Sequence, residues 1–458
     1  MPIPVDAGGK PHSTMPSITQ APIRRNVVWK VSTRIIPIVA VLYIFNYMDR
    51  ANIGYAQLGM GTELAIGAAT FGVTSAIFFI GYIIFEIPSN MIMKRVGARI
   101  WLARIAVSWG VVTVLTGFIT DTTQLLIARI LLGIAEAGLL PGLLLYLTFW
   151  YRGRERARAL AGVYLAQPIA LILGSATGGV ILEHVHWFDL SSWRWVFVLQ
   201  GIPAIFIGII TLLVLPNGPD DAKFLDSTEI KWLQEQIDGE RMPEADKSVR
   251  HELRVLRNLK VLHLGVANIF IASGLYGITF FLPLIVKQLD PGYSLTNIGL
   301  LGAIPYAVGV IGMLLVSKSS DLSSERKLHV IILILIAATG IFGAMQFASL
   351  PALALTCLSI AAIGLYGHLA PFWAMATSLL SKQQAAVGLA AINCISALGG
   401  FFGPYVLGAA ASNGNVVKAL YFPVGCLLVA AAILAFIRVP REPLSPPEAR
   451  QDRSKDPR

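Results

Sequence analysis

An acid and a base stand side by side inside an apolar run. Asp49 and Arg50 interrupt a hydrophobic stretch that begins near Ile35 and continues to about Ala56. A charge at the centre of a membrane helix costs about 2.5–3.5 kcal/mol on insertion scales, so such residues face a protein interior or a watery cavity. We therefore expect the rest of the chain to enclose this pair.

A second charged pair follows helical spacing. Arg129, Gly133 and Glu136 lie at positions i, i+4 and i+7, so Arg129 and Glu136 share one helix face. A guanidinium suits a carboxylate because its planar fork binds both oxygens. The spans of Arg50 and Arg129 are predicted to run in opposite directions. At a rise of 1.5 Å per residue, the two arginines lie about 22 and about 27 Å from the ends of their spans on the same side of the membrane, and thus at similar depths. Both arginines are predicted to bind the carboxylate of a substrate.

The two acids are candidates for carrying protons. Burial favours a neutral carboxyl group, whereas a nearby arginine favours the charged form, and such opposing effects leave a group able to exchange protons. Asp49 and Glu136 are the predicted proton-coupling residues. The alternative is a permanent ion pair, either Arg50 with Asp49 or Arg129 with Glu136. Asp49 is poorly placed for this, because adjacent helical residues point about 100° apart.

The composition indicates a membrane protein. Hydrophobic residues make up 55% of the chain and charged residues 14%, with a mean hydropathy of +0.68. Apolar runs of about twenty residues, each long enough to cross the hydrocarbon core, recur about twelve times. The predicted fold is an all-α polytopic membrane protein with about twelve transmembrane helices in two six-helix bundles. We expect the protein to be embedded in the lipid bilayer.

The basic residues predict the orientation. The net charge of +10 comes from Lys and Arg clusters before the first span, after the second, fourth and eighth, and in the tail. Because such clusters mark cytoplasmic loops, both termini are predicted to be cytoplasmic, and no nucleic-acid partner is expected. No cleavable signal peptide is expected.

The chain divides into five predicted segments. They are a cytoplasmic N-terminal tail (1–34), a first bundle (35–215), a cytoplasmic linker (216–259), a second bundle (260–438) and a cytoplasmic C-terminal tail (439–458). Asp226 and Glu229 have the spacing of a helix cap around 228–237, in a linker predicted to be a solvated connector.

The sequence contains no motif for binding a metal or a cofactor. Cys357, Cys394 and Cys426 lie in apolar segments without metal-ligand spacing, and there is no Walker pattern for ATP. We see no nucleophile and base pair among the spans. We therefore expect no enzyme, no metal and no cofactor, with the proton as the coupling ion.

Several motifs, in order, carry a family resemblance. The chain resembles the major facilitator superfamily and, within it, the anion:cation symporters that carry organic acids such as tartrate, phthalate and sugar acids. The matching segments are Asn46–Gly54, Phe79–Tyr82 with Phe85–Asn90, Gly97–Arg99 with Trp101–Ile105, Arg129 with Leu132–Gly138, Pro141-Gly142, and Tyr151-Arg152 with Arg156–Ala159.

The resemblance implies further site residues. Residues matching Asp49 and Glu136 couple protons in the sugar-acid members, and Tyr47, Tyr82, Gln167 and Asn393 match groups that hydrogen-bond substrate. Trp373 and Tyr276 are further aromatic candidates. Gating is expected of Glu86, Arg99 and Asp321. The family's usual Asp before Gly97 is replaced by Lys94, so the gate of the first half departs from the pattern.

These features together predict a transporter. We expect a secondary active transporter of a bacterial inner membrane, acting as a monomer, that imports an organic carboxylate by proton symport with alternating access. The sequence leaves open an anion exchanger, a uniporter and, more remotely, a membrane sensor that binds without transport.

Overall fold

The computed structural model describes residues 20–239, 258–323, 325–380 and 382–437. Within these ranges the chain forms α-helices and two turns of 3-10 helix, without a strand. The helices are α1 (Gln20–Glu63), α2 (Ala68–Val96), α3 (Ala98–Thr116), α4 (Thr122–Glu136), α5 (Leu139–Leu147), α6 (Gly153–His184), α7 (Ser192–Val214), α8 (Ser227–Asp238), α9 (Leu259–Leu289), α10 (Leu295–Ser323), α11 (Arg326–Gln346), α12 (Pro351–Gly367), α13 (Leu369–Ser378), α14 (Lys382–Ala410), α15 (Val416–Ala419) and α16 (Tyr421–Phe436).

Twelve stretches in the described ranges are long and apolar enough to cross a membrane. Three of these spans consist of two consecutive helices, namely α4 with α5, α12 with α13, and α15 with α16. The prediction of an all-α membrane protein with about twelve spans is confirmed.

Helix α1 is longer than the predicted first span. It contains 44 residues, or about 66 Å, whereas the hydrocarbon core measures about 30 Å. Its first turns, with Arg24 and Lys30, belong to the segment predicted as a tail. The helix therefore extends beyond the apolar zone.

The fourth predicted span is broken at Gly138. This residue has a φ of +87°, in the left-handed region that favours glycine. A Cβ at this position would collide with the Ser89 side chain of α2. The break ends α4 directly after Glu136, and α5 continues the span from Leu139.

The helices assemble into two bundles. Helix α3 packs along α7 and α1 along α6 in the first bundle; α9 packs along α14, and α12 along α10 and α11, in the second. Between the bundles, α6 packs along α10, α2 along α14 and, less extensively, α1 along α9. Helices α2, α6, α10 and α14 form the second, fifth, eighth and eleventh spans. Matching each span with the one six positions away converts the α6–α10 contact into the α14–α2 contact, as parallel repeats require.

The bundles approach closely on one side of the protein. We call the side that carries α8 and the start of α1 the linker side, and the opposite side the far side. Toward the far side, a Cβ on Gly179 would lie 2.8 Å from Cα of Gly299, and one on Gly72 would lie 2.9 Å from Cα of Gly408. Small residues allow helix backbones to approach closely. These glycines therefore form a tight far-side seam.

Glu183 joins the bundles at the same seam. Its Oε2 accepts a hydrogen bond of 2.6 Å from the backbone N–H of Thr296, in the first turn of α10. These first N–H groups lack intrahelical partners and form the positive end of the helix dipole. Deeper in the seam, the Ser175 hydroxyl donates to the Gly299 carbonyl oxygen at 2.6 Å. A carboxylate of the first bundle thus caps a helix of the second.

The described part of the linker packs on the first bundle. Asp226 and Glu229 form a capping box at the start of α8, which confirms the predicted cap. Glu229 also accepts hydrogen bonds from Lys30 Nζ at 2.7 and 2.8 Å, and Trp232 is buried. One face of α8 thus packs against the extended start of α1, while Thr228, Lys231 and Glu235 are exposed. The prediction of a cytoplasmic connector without chemistry stays a prediction.

Candidate functional site

The predicted charges converge inside the first bundle. Asp49 and Arg50 lie on α1, and Arg129 and Glu136 lie on α4. None of the four is more than 7% exposed. They act on one another electrostatically. The structure thus brings the four residues into one buried cluster.

Glu136 pairs with Arg50 across the two helices. Arg50 Nε donates to Glu136 Oε2 at 2.8 Å, and Asn46 Nδ2 donates to the same oxygen at 2.7 Å. This Arg50–Glu136 pair differs from both ion pairs that were considered from the sequence. Arg129 and Glu136 are separated by about 10 Å along their helix, and α1 places Arg50 nearer to Glu136.

Arg129 lies away from open space. Its Nε donates to the Thr74 carbonyl oxygen of α2 at 3.3 Å, and its side chain is 1% exposed. The guanidinium carbons of Arg129 and Arg50 lie 5.1 and 5.2 Å from the same Phe78 ring. The terminal nitrogens of Arg129 have no hydrogen-bond partner among the described residues. Arg129 is a buried charge within the cluster.

Both acids keep one oxygen without a standard hydrogen bond. Asp49 Oδ1 accepts from Asn52 Nδ2 at 3.0 Å, but Asp49 Oδ2 and Glu136 Oε1 are buried and unpartnered within the described part of the chain. Buried polar atoms without partners are unfavourable. The proton-coupling roles of Asp49 and Glu136 stay predictions.

A pocket adjoins the cluster between the bundles. Helices α1, α6 and α9 supply its lining, so both bundles contribute. The lining residues are Tyr47, Arg50, Ala51, Gln167, Leu171, Leu275, Tyr276, Thr279 and Phe280. Three predicted substrate-binding residues, Tyr47, Arg50 and Gln167, therefore meet at one pocket.

Aromatic rings surround the Arg50 guanidinium. Its carbon lies 5.3 Å from the Tyr47 ring centroid and 4.9 Å from that of Tyr82. Cation–π contacts attract a guanidinium without neutralising it. The predicted Tyr82 thus contacts Arg50, although it does not line the pocket.

Two predicted substrate ligands lie elsewhere. Trp373 packs against Phe372 on α13, with ring centroids 5.4 Å apart, and Asn393 on α14 hydrogen-bonds Glu86. Neither lines the pocket in this conformation. Their roles toward substrate stay predictions.

The predicted gating residues are also spread apart. Glu86 joins α2 to α14 through Asn393, at an Nδ2 to Oε1 distance of 3.2 Å, and forms no ion pair within the described ranges. Arg99 donates its backbone N–H to Asn217 Oδ1 at 3.1 Å. The side chain of Asp321 lies outside the described part of the structure. Glu86 thus makes a direct contact between the bundles, and gating by these three residues stays a prediction.

Sequence reasoning missed part of the pocket wall. Thr279 and Phe280 follow Tyr276 at spacings i+3 and i+4, so the three share a face of α9. The polar positions on this face were a usable signal, but Leu275 and Leu171 are indistinguishable from packing residues in the sequence. No group of three or more metal-ligating side chains occurs in the described ranges.

Comparisons with known proteins agree with this architecture. Residues 39–404 match the family model of the Major Facilitator Superfamily. The chain is 37% identical to a protein of Agrobacterium vitis named "Putative tartrate transporter", over 90% of this chain and 91% of that one. It is 34% identical to the "Quinolone resistance transporter" of Acinetobacter baumannii, over 90% and 95% of the two chains.

A solved structure shares the fold. The inward-facing, unoccupied crystal structure of a bacterial homologue of the human lysosomal transporter Spinster superposes with a TM-score of 0.71 at 19% identity. The match covers 90% of this chain and 96% of the other. Together with the family match, it confirms the predicted fold and a transporter rather than an enzyme. The chain belongs to the major facilitator superfamily.

Proposed function

We propose that this transporter imports an organic carboxylate together with protons. The observation that carries the proposal is the Arg50–Glu136 ion pair at the wall of the pocket. Arg50 is the cation among the pocket-lining residues, and its Nε is occupied by a protein acid. A substrate carboxylate and Glu136 therefore compete for the same guanidinium.

The charge balance of the cluster links proton uptake to anion binding. With all four groups ionised, Asp49, Arg50, Arg129 and Glu136 sum to zero charge. One proton makes the cluster a monocation and matches a monocarboxylate; a second proton matches a dicarboxylate. Charges in a low-dielectric site must be compensated. We infer that each bound anionic charge is accompanied by about one proton.

The basic residues support the direction of transport. The linker side carries Arg24 and Lys30 of α1, Lys94 of α2 and the described part of the linker. Because Lys and Arg concentrate in cytoplasmic loops, we assign the linker side to the cytoplasm. The far-side seam then closes the site from outside.

The pocket supports a carboxylate as the substrate class. Arg50 has a planar fork for two oxygens, and Tyr47 and Gln167 add hydrogen-bonding groups beside it. The names of the two relatives point to different substrates, so the proposed substrate class rests on the pocket residues. The proposed substrate is a small organic acid whose carboxylate contacts Arg50.

Uptake into proteoliposomes tests the proposal. A panel of labelled organic acids is offered with an imposed inward proton gradient, without sodium. We expect accumulation that Arg50→Ala abolishes and that Glu136→Gln converts into exchange insensitive to the gradient. Arg104→Ala is the matched control, since Arg104 lies on α3 over the Trp101 ring, away from the pocket.

Other outcomes contradict the proposal in distinct ways. Uptake that needs a carboxylate inside and ignores pH indicates an exchanger. Equilibration without accumulation indicates a uniporter, and saturable binding without uptake indicates a sensor. Normal accumulation by both site variants would make the ion pair purely structural.

A further inference from the structure

Glu86 is a buried acid at the boundary between the bundles. It is 5% exposed and lies on α2. Its Oε1 accepts from Asn393 Nδ2 of α14 at 3.2 Å, and its Oε2 has no partner among the described residues. The partner that the structure shows for this carboxyl group is thus a neutral amide on the opposite bundle.

The titratable and charged groups around Glu86 come from three helices. Arg50 of α1 attracts it from a distance without forming an ion pair. Tyr82 lies one turn earlier on α2, and Cys394 lies beside Asn393 on α14. Because α2 runs from the far side to the linker side, Glu86 lies about 6 Å closer to the linker side than Tyr82 does.

The chemistry of an amide makes this contact sensitive to the proton. Asn393 can donate from Nδ2 and accept at Oδ1. A neutral carboxyl group is complementary to it, because one oxygen accepts while the O–H donates to the amide oxygen. A carboxylate can only accept, and it would bury a charge with one neutral donor. An ion buried in this way is unfavourable by several kcal/mol.

We propose that Glu86 is a proton-binding residue that controls the contact between α2 and α14. The neutral acid holds the bundles together at this level through Asn393. Loss of the proton weakens the contact and opens the site toward the linker side. The proposal adds a third protonation step to the proposed function, and it relies on that function only for the direction of proton flow.

Distance measurements test the proposal independently of transport. Spin labels are placed at Lys94→Cys and Lys318→Cys, exposed positions near the linker-side ends of α2 and α10. The native cysteines are replaced by serine, and the full-length protein is studied in lipid nanodiscs by pulsed electron paramagnetic resonance. In the otherwise unchanged protein, we expect the distance to lengthen from mildly acidic to mildly alkaline pH.

Variants separate Glu86 from the acids of the central cluster. Glu86→Gln keeps the shape of a neutral acid and is expected to hold the short distance at every pH. Asn393→Ala is expected to give the long distance at every pH. Glu63→Gln, at the far-side end of α1, is the control that keeps the response. In Glu136→Gln, Glu86 can still gain and lose its proton, so a pH-dependent change in the distance should remain.

Defined results overturn the proposal. If Glu86→Gln responds to pH like the unchanged protein, Glu86 is not the proton-binding residue of this contact. If Asn393→Ala keeps the short distance, the amide does not hold the bundles together. A protein that shows the expected distances but no proton-driven uptake would refute the proposed function and leave this inference intact.

Discussion

Removing one partner of the Arg50–Glu136 pair has a calculable effect on stability. At 2.8 Å and an effective dielectric constant of about 20, the attraction amounts to about 6 kcal/mol. Arg50→Met retains an apolar side chain and leaves Glu136 with Asn46 as a neutral donor. A buried carboxylate then has two options: to stay charged, or to take up a proton.

Protonation is the less unfavourable option and makes the effect depend on pH. Protonating a glutamate with an ordinary pKa of about 4.3 costs about 1.4 kcal/mol per pH unit, or about 4 kcal/mol at neutral pH. Folded Arg50→Met then binds one proton more than its unfolded form, so its stability falls as pH rises. We expect a loss of about 4 kcal/mol in the free energy of unfolding at pH 7 and of about 1 kcal/mol at pH 5.

The double variant tests whether the two charges act as a unit. Glu136→Gln alone leaves Arg50 uncompensated and is expected to destabilise the protein by about 3 kcal/mol, the lower end of the range for broken buried pairs, because Arg50 borders the pocket. Arg50→Met with Glu136→Gln removes both charges of this pair, so neither is left without the other. It should lie within about 1 kcal/mol of the unchanged protein, since neutral replacement of a buried pair is often tolerated.

Reversible denaturant unfolding in detergent micelles measures these differences. Arg24→Met is the control, because its bridge to Glu155 is 2.8 Å long but Arg24 is 49% exposed, and such pairs contribute at most about 1 kcal/mol. Additive effects of the two changes, or equal destabilisation by Arg50→Met at both pH values, would refute the charge argument.

Three further predictions concern the seam and the linker. Gly179→Ala should separate α6 from α10 and abolish transport, because its Cβ would lie 2.6 Å from the Leu295 carbonyl oxygen; Gly162→Ala on the same helix meets nothing within 4 Å and should transport normally. Equal uptake by both variants contradicts a close-packed seam. Glu183→Ala should remove the cap on α10 and shift the protein toward a state open on the far side, because the Thr296 N–H loses its partner. This shift would be seen as faster labelling of the site by reagents that cannot cross the membrane; unchanged labelling would show that Glu183 does not hold the two bundles together. Glu229→Ala should release α8 from Lys30 and speed tryptic cleavage of the linker, whereas Glu235→Ala should not; equal cleavage rates would show that the ion pair does not hold α8.

The sequence was sufficient where a single helix decides the outcome. The apolar runs predict the spans, and the placement of Asp49 and Arg50 within one run predicts a buried charged site. The cap at Asp226 is likewise local, because its partner Glu229 lies three residues away.

The pairing of charges depends on how helices rotate against one another. Arg129 and Glu136 share a helix face, yet the structure pairs Glu136 with Arg50, because α1 and α4 meet at that level. Spacing along one helix contains no information on the rotation of its neighbour. The same reason hides the contact between Glu86 and Asn393, which joins residues 307 positions apart.

Helix α2 connects the central cluster to the second bundle. Phe78, Tyr82 and Glu86 repeat at intervals of four residues, so they lie along one face of α2. Phe78 lies beside both arginines, Tyr82 lies over Arg50, and Glu86 binds Asn393. If Glu136 gains a proton or a carboxylate binds, as the proposed function requires, a change in the position of Arg50 would act on the helix that carries the contact with the second bundle. Under the proposed function, this face of α2 would connect proton binding in the first bundle to the separation of the two bundles.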